Sequence, residues 1–158
     1  MSDKPAERLR VLFVDQKNDS VSQIAEHFTR QMYGDLYEVY SAGPEHDIVD
    51  CDLIIAMYRS GEDIRRHVSK DFKNLELLRE DEEYDFVVYL AGGTFEAWAP
   101  KTPWQGKQIL ADMGSIRDYE FTDEAELFDA YDELVAKIRK WVVGNMGDPD
   151  RLKALVCA

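Results

Sequence analysis

Four short strand-like runs and two longer stretches of helical period set the expected architecture of this chain. Val11-Leu12-Phe13-Val14 is a continuous apolar run with charge on both sides, the pattern of a strand buried on both faces of a parallel sheet. Ile24, Ala25, Phe28 and Met32 then recur at helical spacing, with Ser20 and Ser22 as N-cap candidates and Gly34 as the stop. Tyr37-Glu38-Val39-Tyr40 reads as a second strand, closed by Ser41-Ala42-Gly43-Pro44. Residues 48–60 read as a helix, although Leu53-Ile54-Ile55 also fits a strand and periodicity does not separate the two. A polar stretch over 61–83 leads into the apolar run Tyr84-Asp85-Phe86-Val87-Val88-Tyr89-Leu90, and Ala91-Gly92-Gly93-Thr94 turns the chain out of it. Two Trp and two Pro mark 95–106 as a long surface loop before a short fourth strand, Gln108-Ile109-Leu110-Ala111. Leu127, Phe128, Tyr131, Leu134, Ile138 and Trp141 then repeat at helical spacing, so a long amphipathic helix over 123–143 closes the core. Strands alternating with helices predict an α/β fold, a three-layer sandwich around a four-stranded, mainly parallel sheet. One domain is expected, with its core over about 9–143 and a flexible or short helical tail over 144–158.

Composition narrows the partners. The 158 residues hold 32 Asp and Glu against 19 Lys and Arg, a net charge of −13. Nucleic acid is excluded as a partner, because phosphate binding needs clustered Lys and Arg to displace counterions. An anionic membrane surface is disfavoured for the same reason, and no apolar run approaches the roughly 20 residues of a membrane span. Only two cysteines occur, Cys51 and Cys157, which fits a reducing compartment better than a disulfide framework. Met1-Ser2-Asp3-Lys4-Pro5 has no signal-peptide pattern, so a cytoplasmic location is expected.

In an open parallel sheet the ligand site lies at the carboxyl ends of the strands. The first such loop is Asp15-Gln16-Lys17-Asn18-Asp19-Ser20-Val21-Ser22, running from a buried strand into a helix N-terminus. A turn of this kind aims backbone N–H groups inward and gains from the helix dipole, so it can cradle an anion. The glycines of a P-loop or dinucleotide fingerprint are missing.

Val11-Leu12-Phe13-Val14, the eight-residue turn and Gln23-Ile24-Ala25-Glu26 together resemble the low-molecular-weight protein tyrosine phosphatases, and more closely their relatives, the thioredoxin-coupled arsenate reductases. Asn18, Ser22, Gln23, Ala25 and Glu26 stand where the arsenate reductase pattern has them, and Tyr40-Ser41-Ala42-Gly43 follows without a gap. Ala56-Met57, Asp63-Ile64, His67 and Ser69 keep the same register. Tyr84-Asp85-Phe86-Val87-Val88 matches the strand before the redox loop, and Ile116-Arg117-Asp118-Tyr119 stands where the family has its Asp-Pro acid loop. The resemblance implies that fold, with Asn18 and Ser22 bracing the loop and Asp118 at the general-acid position. It also implies a nucleophilic cysteine and an oxyanion-gripping arginine, which here are Asp15 and Val21. The family's redox cysteines fall on Ala91 and on Trp98 or Ala99, and neither Cys51 nor Cys157 takes a catalytic position.

Three readings of the function follow. The first is a pseudoenzyme that binds a protein partner or small ligand and uses no cofactor. The second is altered chemistry, a phosphatase-type hydrolase using Asp15 and Asp118 with or without a divalent cation, which enzymes with a carboxylate nucleophile usually bind to neutralise the phosphoryl charge. The third, a response-regulator receiver suggested by the opening Arg10 to Asp15, lacks a phosphoacceptor Asp after Leu53-Ile54-Ile55-Ala56-Met57. Asp15 itself has three uses: capping the helix, filling its own loop by accepting two or three N–H groups, or joining Asp19 and Asp118, with Asp112, in a carboxylate cluster for a cation. Phe95, Trp98 and Trp104 form either an exposed interaction loop or a cover for the sheet. His67 is expected at a helix end or on the surface, and Asp123, Glu124, Glu126, Asp129, Asp132 and Glu133 on a solvated helix face.

Overall fold

A computed structural model describes residues 7–157; Met1 to Pro5 lie outside them. Strands β1 (Leu9–Val14), β2 (Tyr37–Ala42), β3 (Phe86–Tyr89) and β4 (Gln108–Leu110) form one sheet in the order β2-β1-β3-β4. Every neighbouring pair is parallel, with Val11 opposite both Val39 and Phe86. Helices α1 (Val21–Tyr33), α2 (Cys51–Arg59), α3 (Gly92–Trp98), α4 (Glu124–Asn145) and α5 (Pro149–Leu155) complete the fold.

Strand side chains alternate between two faces, and the cores follow that alternation. Val11, Phe13, Phe86 and Val88 join the larger core with Ile24 and Phe28 of α1, Leu53 and Met57 of α2, and Leu134 and Ile138 of α4. Leu12, Val14, Val87 and Tyr89 face the other way, into a smaller core with Leu78, Tyr84 and Trp104. Both faces of β1 and β3 are therefore covered, which explains their unbroken apolar runs.

Local preferences resolve what periodicity leaves open. Residues 51–59 are helical rather than extended, because Leu53, Ala56 and Met57 fall on one face and are buried. Asp50 caps this helix, accepting from the N–H groups of Asp52 and Leu53. The third strand is shorter than its apolar run, since Tyr84 turns into the smaller core and Leu90 lies beyond the ladder. The expected surface loop over 95–106 instead begins with α3 and a 3-10 turn, Ala99–Lys101. Pro100 sits in the first turn of that 3-10 segment, where its missing N–H costs nothing. The tail forms the short terminal helix and is not loose. Met146 and Leu152 are fully buried, and the Cys157 N–H donates to the Gln108 carbonyl. The acidic positions of α4 are exposed as expected. No helix among the described residues is long and apolar enough to cross a membrane.

Candidate functional site

The loop between β1 and α1 is held by a chain of buried polar contacts. Asp15, only 4% exposed, follows β1 and turns its carboxylate toward the N-terminus of α1. Its Oδ2 accepts from the Ser22 N–H and from the Ser22 hydroxyl, both at 2.8 Å. Ser20 occupies the N-cap position without a side-chain capping bond, so Asp15 supplies the cap from seven residues upstream. The carboxylate takes one backbone donor, fewer than the two or three expected, and its Oδ1 is buried without a partner.

Asn18 is the centre of the loop. It adopts the left-handed conformation (φ 50°) that asparagine tolerates better than most residues. Its amide donates to Ser22 Oγ at 2.8 Å, while its Oδ1 accepts from Gln23 Nε2 at 2.9 Å and from the Lys70 N–H at 2.8 Å. Gln23 in turn meets His67 Nδ1 through Oε1 at 2.9 Å. Ser69 closes the loop's outer side, donating to the Lys17 carbonyl at 2.6 Å and accepting from the Asp47 N–H. Gln16 bridges outward, accepting from Thr94 of α3 and donating to Glu45. Asn18 and Ser22 thus brace the loop, and Gln23, His67 and Ser69 join them in one set of contacts. The contributions of Lys70, and of Gln16 to Thr94, carry no signal in the sequence, because each depends on a segment remote along the chain.

Other expected members are placed elsewhere. Val21 is 3% exposed and belongs to the larger apolar core. Asp118 lies in a 3-10 turn (Ile116–Asp118), where it accepts from the Ser115 N–H in a capping box and makes no hydrogen bond to the first loop. Asp112 accepts from the Gly114 N–H. No group of three or more His, Cys, Asp or Glu among the described residues is arranged to hold a metal ion, so the cluster of Asp15, Asp19, Asp118 and Asp112 does not assemble. Asp19 does sense its neighbours: burial, then the charges of Asp15 and Asp50, push its carboxyl pKa up. Phe95, Trp98 and Trp104 cover the sheet. Trp104 is 6% exposed, donates to the Glu82 carbonyl and stands edge-on to Phe72 and Tyr84. Phe95 stands edge-on to Tyr89, and Trp98 packs against Phe72 under Lys101.

His67 is neither a helix end nor a surface residue. Its side chain is 15% exposed, beside Glu26, His27, Arg30 and Lys70. Burial lowers its pKa below the ordinary value near 6.5, against the opposing pull of Glu26. Below that value the unfolded chain takes up a proton that the folded chain resists, so this site's contribution to stability falls as pH falls. Urea midpoints should drop between about pH 7.5 and about pH 5.5, and drop less in His67→Asn, which keeps a donor for Gln23. Equal drops in both chains would exclude His67 as a titrating group.

No protein-family model matches the chain. Arsenate reductase 1 of Staphylococcus epidermidis is 32% identical over 128 residues, covering 81% of this chain and 91% of the relative. An arsenate reductase of Shouchella clausii is 36% identical over 134 residues, covering 83% and 93%. Among solved structures, an arsenate reductase in the phosphate binding state superposes with a TM-score of 0.61 at 21% identity, over 94% of this chain and 99% of that one. The tyrosine phosphatase Wzb of Escherichia coli K30, in complex with sulphate, gives 0.64 at 19% identity, over 87% and 99%. Sequence identity over most of both chains, together with the superpositions, leads to one assignment: the chain belongs to the arsenate reductase family, on the fold it shares with the low-molecular-weight protein tyrosine phosphatases.

Proposed function

We propose that this chain is a catalytically silent member of its family, retained as a binding or regulatory module for a small ligand or a protein partner. The observation that carries the reading is the Asp15 carboxylate at the start of the loop, bonded to Ser22 where the family resemblance implies a nucleophilic thiolate. A carboxylate there opposes a phosphoryl or arsenyl dianion, and Val21 in the apolar core supplies no guanidinium to offset the repulsion. Cys51 is exposed at the start of α2 and Cys157 lies in the tail, so neither stands at the Asp15 position that the resemblance gives to the nucleophile. Losing one preorganised oxyanion donor typically raises a barrier by about 2.7–4 kcal/mol, and here both clamp and nucleophile differ. The purified chain should neither hydrolyse an aryl phosphate nor reduce arsenate with thioredoxin above the level of an Asp15→Ala variant. Turnover well above that variant would overturn the reading.

A further inference from the structure

A groove runs between α2 and α4, lined by no residue of the first loop. It consists of two cavities of about 560 and about 380 Å³ that share Ala56, Ser60 and Asp132 on their walls. Phe128, Ala56 and Met57 give it an apolar floor, all three buried. On the α4 side Ala125, Asp129, Asp132, Ala136 and Arg139 follow one another at steps of three or four residues. Such steps make one helical stripe, about 21 Å long at 1.5 Å per residue. Ala56, Ser60, Ala125 and Ala136 are small, so the backbone of a further helix can approach the floor closely.

The charges along this groove are not neutralised within the chain. Arg59 lies over the Phe128 ring, 4.4 Å from its centroid, and Arg139 lies over Phe28 at 5.8 Å. Glu124, Asp129 and Asp132 are exposed on the α4 side. Among the described residues none of the three has a Lys, Arg or His nitrogen within 4.0 Å. Carboxylates elsewhere are paired: Glu38 and Asp81 by Arg79, and Asp85 by Arg10. Glu62, at the other end of the groove, is bonded by His27 and Gln31. An apolar floor beside three unmatched carboxylates complements a helix with apolar residues on one stripe and cations along its flank. The net charge of −13 steers such a cation inward and opposes a second copy, which would set like charges together.

We propose that the groove between α2 and α4 is the docking site for a basic amphipathic helix of a protein partner. Its apolar side chains pack over Phe128 and Ala56, and its Lys or Arg side chains meet Glu124, Asp129 and Asp132. The proposal goes beyond the silent-site reading and does not rest on it, since the first loop takes no part in the groove.

The probe is a synthetic helical peptide about 14 residues long, matching the stripe, with Leu and Ala on one face and Lys on its flanks. Its twin carries Glu in place of every Lys. Titrated into the full-length chain and followed by backbone amide shifts, the Lys peptide should bind and move the signals of Ala56, Ser60, Ala125, Phe128 and Ala136, while the Glu peptide should not bind. Ala136→Trp fills the groove from an exposed position and should weaken binding about tenfold or more. Asp129→Asn with Asp132→Asn should weaken it about fivefold. Glu133→Gln with Glu96→Gln removes the same charge at exposed positions outside the groove and should leave binding unchanged. Failure of the Lys peptide to bind, shifts spread over the acidic surface, equal losses in the two charge pairs, or no loss in Ala136→Trp would each overturn the proposal. So would a dimer in sedimentation that Ala136→Trp dissolves, which would give the groove to a second copy. Turnover is read separately and bears only on the silent site.

Discussion

Alanine at Gly43 is expected to destabilise the fold by about 3 kcal/mol or more, a larger loss than most point substitutions cause. Gly43 follows β2 and pairs across to the segment before β3, donating to the Lys70 carbonyl and accepting from the Phe72 N–H. A Cβ at this position would stand 2.3 Å from the Asp15 carbonyl oxygen and 2.9 Å from that of Gln16. Both are backbone atoms at the point where β1 enters the loop, so no side-chain rotation relieves the contact. Relief requires β1 and β2 to separate at their carboxyl ends, which loosens the loop as well as the sheet. For a chain of this size the loss should lower the melting temperature by about 6 to 12 °C. A melting temperature within a degree or two of wild type would mean that the loop yields without cost.

Restoring the family's reactive pair should have the largest effect on binding. The double variant Asp15→Cys, Val21→Arg removes the opposing carboxylate and introduces a guanidinium with two parallel donors. Charge-assisted hydrogen bonds contribute about 1.5–3 kcal/mol each, so two of them correspond to sulfate binding stronger by about 10²- to 10⁴-fold. The arginine must leave the apolar core that Val21 occupies, at a cost of about 1.5–3 kcal/mol in lost burial. Titration with sulfate reads the outcome. No gain over wild type would show that the loop cannot accept the guanidinium and has diverged in shape as well as in chemistry.

The fold was legible because its strands are buried on both faces. Val11 to Val14 and Phe86 to Tyr89 are continuous apolar runs, and only a covered parallel sheet accommodates such runs. Helix α3 was missed because it is seven residues long and starts with two glycines. Its propensity is poor, and it is held by Phe95 against Tyr89 and Trp98 against Phe72, contacts invisible from local sequence. In the site, the loop from Asp15 to Ser22 was readable from its place between strand and helix, and the bracing roles of Asn18 and Ser22 from the family resemblance. Lys70 and Thr94 were not, because each reaches the loop from a remote element. Asp118 was placed at the acid position only by its register, and what local sequence did not show is that its carboxylate accepts from the Ser115 N–H in a capping box.

The docked tail also decides what the sheet can do at its flank. β4 is the outer strand on one side, and such strands offer open backbone groups on which another chain can build. The Cys157 N–H on the Gln108 carbonyl occupies one of those groups with the chain's own terminus, and buried Leu152 anchors it. On the opposite flank the Arg30 guanidinium holds the Val39 carbonyl of β2 at 2.6 Å. Joining two copies edge to edge would first have to displace these covers, so the sheet is guarded against templated aggregation by side chains and a terminus that take no part in the site.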